Sequence, residues 1–104
     1  VFRPRNRGGR VMKDLKETVE LMNSEDYKER FIAEYWQLKI RYEKLKNFNN
    51  KIEASRAVIK VEPNHDCPYD MLRNQQRCMG ELLHILEVRA IIENVNLEVL
   101  EDDK

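Results

Sequence analysis

No glycine or proline stands between Val11 and Glu62. Nothing local therefore interrupts a helix over that span, because these two residues are the usual punctuation of the backbone. Cysteine is scarce as well. Cys67 and Cys78 are the only two, and neither zinc-finger nor redox spacing relates them. Such usage excludes a disulfide framework and fits a reducing, intracellular compartment. No apolar run approaches the roughly 18 residues of a membrane span, and no signal-peptide core is present. The expectation is a cytoplasmic protein without a membrane partner. A phosphate loop and a dinucleotide fingerprint are both missing. The formal net charge is zero, so a dense acidic mimic of nucleic acid is disfavoured.

What the chain does have is helical periodicity. Over residues 26–52, Phe31, Tyr35, Leu38, Tyr42, Leu45, Asn49 and Ile52 recur at steps of 4, 3, 4, 3, 4 and 3. That is a heptad seam, which keeps one stripe toward a partner helix. Ile32, Trp36, Ile40 and Phe48 add a second strip beside it. The combined face is too wide for one neighbour. Ser24 is the expected N-cap, with Glu25 and Asp26 in the first turn. A second long helix is expected from Pro68 onward, capped by Asp66 or Cys67. Between the two, the β-branched alternation at residues 57–61 suggests a short extended segment before the turn chemistry of residues 62–66. A short leading helix carries Val11, Leu15, Val19 and Met22 on one stripe.

The fold expectation is all-α: a short N-terminal helix and a long antiparallel two-helix hairpin, completed by oligomerisation. Helices are expected at about residues 12–22, 25–54 and 68–96. They form a single domain over residues 11–104, preceded by a basic flexible arm over residues 1–10. In the hairpin, facing residues have a nearly constant index sum. Setting Ile52 against Leu72 puts Leu45 opposite Met79, Tyr42 opposite Leu82 and Leu38 opposite Leu86. The same register puts Asn49 opposite Gln75 and Tyr35 opposite Arg89, so each polar residue in one stripe meets a polar group in the other.

Candidate binding groups come from charge and aromatics. Arg3, Arg5, Arg7, Arg10 and Lys13 lie in a head without acids, whereas residues 93–104 carry five acids against one lysine. The head is suited to phosphates, and a nucleic-acid contact would rest on it alone. A solvated tail is the plainer reading. Tyr27 and Trp36 are amphipathic, and Trp36 stands where a second partner would sit. Self-association is the favoured use of such surface aromatics; stacking on a base is the other. His65, Cys67, Cys78 and His84 are the only soft metal ligands, and their spacing builds no zinc site. Cys78 is expected in the core. No nucleophile, base and oxyanion hole can be assembled, so neither catalysis nor a cofactor is expected.

Several stretches resemble a known family. They are TVELM at residues 18–22, DYKERFIAEYWQLKIRYEKLK at 26–46, Cys67-Pro68, then Tyr69, Gln76, Met79 and Gly80, and LEVRAIIENVNL at 86–97. The chain is similar there to small phage and prophage proteins, mostly of Gram-positive gut bacteria, named after a crAss-like phage protein. The match spans about three quarters of the chain and lapses at residues 49–63. The resemblance implies a phage accessory protein, acting in the cytoplasm of an infected bacterium and antagonising host defence. Two mechanisms stay open. One is stoichiometric inhibition of a host defence protein, in the manner of an anti-CRISPR. The other is an oligomeric sponge that sequesters an anionic cyclic nucleotide signal, as in the helical-hairpin sponges acting against CBASS and Thoeris. That second likeness is one of fold only.

Overall fold

A computed structural model describes residues 9, 10, 12 and 14–100. Two long helices dominate it. One, α2, spans Tyr27–Ala57, and the other, α3, spans Tyr69–Glu93. At 31 residues α2 is about 46 Å long, and it sets the 49 Å length of the molecule. Ahead of α2, a 3₁₀ turn over Leu15–Thr18 runs into α1, Val19–Met22. At the ends, β1, Gly9–Arg10, pairs antiparallel with β2, Val99–Leu100, with Arg10 opposite Val99. The remainder of the expected arm lies outside the described residues.

The 3₁₀ turn starts at Asp14, whose carboxylate accepts from Lys16 N while Glu17 reaches back to Asp14 N, a capping box. Met12 and Thr18 are buried and Leu21 packs on the core. The stripe expected of one helix over residues 12–22 is not the buried one: the segment is split into a 3₁₀ turn and a four-residue α-helix, and Leu15, Val19 and Met22 are exposed. Thr18 clamps the turn onto α2, donating to Leu15 O and accepting from Gln37 Nε2 at 2.9 Å.

Asp26, not Ser24, caps α2 through its carboxylate on Lys28 N. Ser24 sits one step back, its hydroxyl accepting from Asp26 N. At the far end α2 runs on to Ala57, and the extended segment expected over residues 57–61 does not form. Instead Lys60 N bonds Ser55 O at 2.8 Å and Ile59 takes a φ of 56°, a Schellman-type stop. Val58, Ile59 and Val61 are left exposed, with no strand to pair with. Pro68 itself holds the cap position of α3, without a side-chain cap.

The core gathers where the N-terminal half of α2 meets the C-terminal half of α3. Phe31, Tyr35, Trp36 and Ile40 pack there with Leu83, Leu86, Ala90, Met12 and Val95. Within the chain the wide face of α2 has several neighbours: α3, α1 and the segment after α3. The hairpin contacts scatter about the expected register rather than following it. Tyr35 donates to Glu87 rather than lying against Arg89, Asn49 meets Gln76 and Leu72, and Tyr42 lies against Gly80 rather than Leu82. Polar does meet polar. Among the described residues no helix is long and apolar enough to cross a membrane.

Candidate functional site

An open groove of about 880 Å³ runs from Tyr42 on α2 across the outer face of α3. Hollows elsewhere on the surface measure 290–340 Å³. Tyr42 faces Gly80 at the floor of the groove, where a methyl group would meet the ring at 3.4 Å, an ordinary van der Waals contact. Around this floor stand Arg73, Arg77 and His84, spaced so that they share one side of the helix.

The two guanidiniums are loosely engaged. Arg73 donates to the Tyr69 hydroxyl at 3.1 Å and lies over that ring, with Glu53 at 4.0 Å. Arg77 holds Glu81 at 3.2 Å and Asn74 at 3.3 Å. Each has five N–H donors, so donors remain for a ligand. His84 is exposed and makes no hydrogen bond among the described residues. Gln76 adds a directed donor. The buried Asn49 gives its Nδ2 to Leu72 O at 3.2 Å and to Gln76 Oε1 at 2.9 Å. A backbone carbonyl only accepts, so the Asn49 amide orientation is forced, and Gln76 must turn its own oxygen inward. Its NH₂ end is the one left for the groove that Gln76 lines. Glu81 is the one carboxylate in the lining, and Arg77 neutralises it. The wall as a whole offers donors, cations and one aromatic face. Those are the groups that hold a phosphate and a planar ring.

The residues singled out from sequence lie elsewhere. Arg3, Arg5, Arg7 and Lys13 fall outside the described residues. Arg10 is placed only by its backbone pairing with Val99. Tyr27 is 47% exposed and donates to Glu93 Oε1 at 3.2 Å. Burial first, then that carboxylate, raises its pKa. Arg89 grips the same Glu93 and covers the Phe31 ring, so this cluster staples the start of α2 to the end of α3. Trp36 is only 6% exposed, and its indole N–H is committed to Leu97 O. The second partner expected beside it is the protein's own C-terminal segment. An edge of the indole borders a 290 Å³ hollow with Met12, Ile40, Lys39 and Lys44. Cys78, expected in the core, is exposed on α3.

Sequence reasoning named Gln76 only within the family likeness and His84 only as a metal ligand it rejected, and it passed over Arg73 and Arg77, although a signal was there. Arg73, Arg77, Gly80 and His84 recur at steps of 4, 3 and 4, a polar stripe with a glycine in it. What the stripe lacked was a sign of which wall it would face.

No curated protein and no solved structure matches the chain. A family model described as Sequestin matches residues 25–92. That span runs from the cap of α2 to the last turn of α3 and holds every residue that lines the groove. It leaves out the basic head and the acidic tail. With about two thirds of its length matched, groove included, the chain belongs to the Sequestin family.

Proposed function

We propose that this protein sequesters a small anionic ligand of nucleotide chemistry, binding it stoichiometrically and without turnover. The observation that carries the reading is the convergence of Arg73, Arg77 and His84 beside the Tyr42 ring in one open groove. The arginines would hold phosphates, and Tyr42 or His84 would face the base. The donor end of Gln76 would add orientation. The family name speaks of sequestration, and the match covers the groove. Of the two mechanisms left open by the sequence, the groove supports the sponge over inhibition of a host defence protein. Set beside the likeness to phage accessory proteins, the ligand would be a cyclic nucleotide signal of bacterial immunity, and the protein a phage antagonist of that pathway. The basic head is then dispensable for binding.

Native mass spectrometry with a panel of cyclic nucleotides and cyclic ADP-ribose isomers tests this. The expected result is ligand mass taken up in fixed stoichiometry and recovered chemically unchanged. Arg73→Ala and Arg77→Ala should each weaken binding roughly 10- to 100-fold, the worth of a charged hydrogen bond. Both sites are exposed, so stability should change little. A spectrum without uptake of any messenger would remove the sponge reading and direct the search to a protein target in host lysate.

A further inference from the structure

The nucleotide groove leaves another flank of α2 unused. Trp36, Ile40, Lys44 and Asn47 follow one another there at steps of 4, 4 and 3, so they share one face of the helix. They line a hollow of about 290 Å³, with Met12 beside them. The hollow and the groove have no lining residue in common. Tyr42 is six positions on from Trp36, which turns the two sites roughly 120° apart around α2.

The floor is apolar and packed from behind. Trp36, Ile40 and Met12 are 6%, 7% and 3% exposed, and the indole N–H is held by Leu97 O. The rim is polar and short of acid. Glu43 is its one carboxylate, and Lys39 at 3.3 Å and Lys46 at 3.9 Å already share it. Lys44 and Asn47 are exposed, and neither has a hydrogen bond or ion pair among the described residues. A cation and an amide thus stand unengaged beside an apolar floor.

We infer that this hollow binds a small aromatic carboxylate, with the ring against Trp36, Ile40 and Met12 and the carboxylate on Lys44 and Asn47. Size, floor and rim each select that chemistry. The volume lies at the lower end of the ~300–1,000 Å³ of ligand pockets, which suits a single ring with a short substituent. The floor presents an indole and a thioether side chain, and both favour an aromatic guest. The rim supplies an ammonium and an amide NH₂, donors that one carboxylate can accept from together. Three lysines against one glutamate leave that rim net positive, so an anion gains more there than a neutral guest. The site does not rest on the nucleotide reading, and the two can fail separately.

Titration of the full chain with sodium benzoate, followed by proton–nitrogen NMR, tests it. Trp36 is the only tryptophan, so its indole N–H gives one unambiguous signal. The expected result is saturable binding, weak because so few atoms make contact, that shifts this signal and the Asn47 side-chain amide. Benzamide has the ring without the charge and should bind about tenfold more weakly, the worth of one charged hydrogen bond. Lys44→Gln should weaken benzoate to the same extent and leave benzamide unchanged. Lys44 is exposed, so the circular dichroism of the variant should match that of the parent chain. No saturable shift at the two signals, or shifts confined to Tyr42 and Gly80, would overturn the site. Benzoate binding that survives Lys44→Gln, or benzamide binding as tight as benzoate, would overturn the assigned chemistry. Nucleotide uptake by a chain that ignores benzoate would sink this site and leave the proposed function standing.

Discussion

Asn49 shows how one buried amide sets the chemistry of a surface. It is almost wholly enclosed, and its Oδ1 has no hydrogen-bond partner among the described residues. Its Nδ2, pinned by Leu72 O, dictates which end of Gln76 turns inward. Gln76→Glu keeps the shape and still accepts from Asn49, but places negative charge where the groove now offers a donor. Affinity for an anionic nucleotide, measured by calorimetry, should fall roughly tenfold or more while the fold persists. His65 carries a different kind of residue-scale prediction. Both its ring nitrogens face oxygens, Nε2 on Glu62 at 2.6 Å and Nδ1 on Cys67 O at 2.7 Å. Both therefore donate, and the charged ring is favoured. The Glu62 bond first, then the Cys67 carbonyl, raises its pKa, against smaller opposing effects of desolvation and of Arg56. Glu62 is lowered to about 2, by Arg56 first and then His65. A raised histidine pKa stabilises fully below 6.5 and loses that contribution as pH rises through the folded value. The lowered Glu62 stabilises above 4.5 and is lost as pH falls toward about 2. The loop between α2 and α3 should thus be firmest between those limits. By NMR, His65 should titrate above 6.5, and Glu62→Gln should bring it back toward that value.

At the scale of an element, the end of α2 is the weak point. Ile59 stands in the left-handed region at a φ of 56° and is 93% exposed. A β-branched side chain there is strained, since its branches crowd the backbone, and it packs against nothing in return. Ile59→Gly should raise stability by about 0.5–1 kcal/mol, the relief exceeding the extra freedom glycine gives the unfolded chain. Thermal unfolding should show the gain as a few degrees, and an unchanged or lower midpoint would count against the strain. Asn94 ends α3 in the same backbone region, but asparagine tolerates it. The two helices stop by one geometry, yet only α3 has a residue suited to it. The missing strand at residues 57–61 has the same origin. Alternation of β-branched residues favours a strand only where a partner edge exists, and α2 consumes Ala57 before one could form.

Across the whole molecule, the largest apolar cluster gathers at one end. The chain closes on Trp36: α1 and the segment after α3 converge there, and the indole N–H holds Leu97 O. Trp36→Phe removes that donor and leaves a small cavity among residues that all four segments share. The expected cost is about 1–3 kcal/mol, read from urea unfolding by circular dichroism. The Tyr35–Glu87 bond buttresses the same region, and burial followed by that carboxylate raises the Tyr35 pKa. Toward the other end Asn49 and Ile52 are fully buried as well, and Phe48 meets His65 of the loop. The groove opens between, beside Tyr42, which itself packs against the core.

By itself the sequence determined the helices and the composition of the seam. A heptad spacing free of glycine and proline admits one backbone conformation, and the residues of that stripe from Phe31 to Ile52 are buried or half-buried. It also determined that polar residues in the stripe would find polar partners, because an unpaired buried amide is costly wherever it sits. The tertiary structure decided the individual partners across the hairpin: Asn49 meets Gln76 and Leu72 O rather than Gln75, a choice periodicity could not rank. It decided that Trp36 is covered within the chain, because the segment after α3 folds back across it. It also decided which of many arginines matter. Charges on a helix are alike in sequence, and only packing shows that Arg73 and Arg77 border a hollow while Arg89 covers the Phe31 ring.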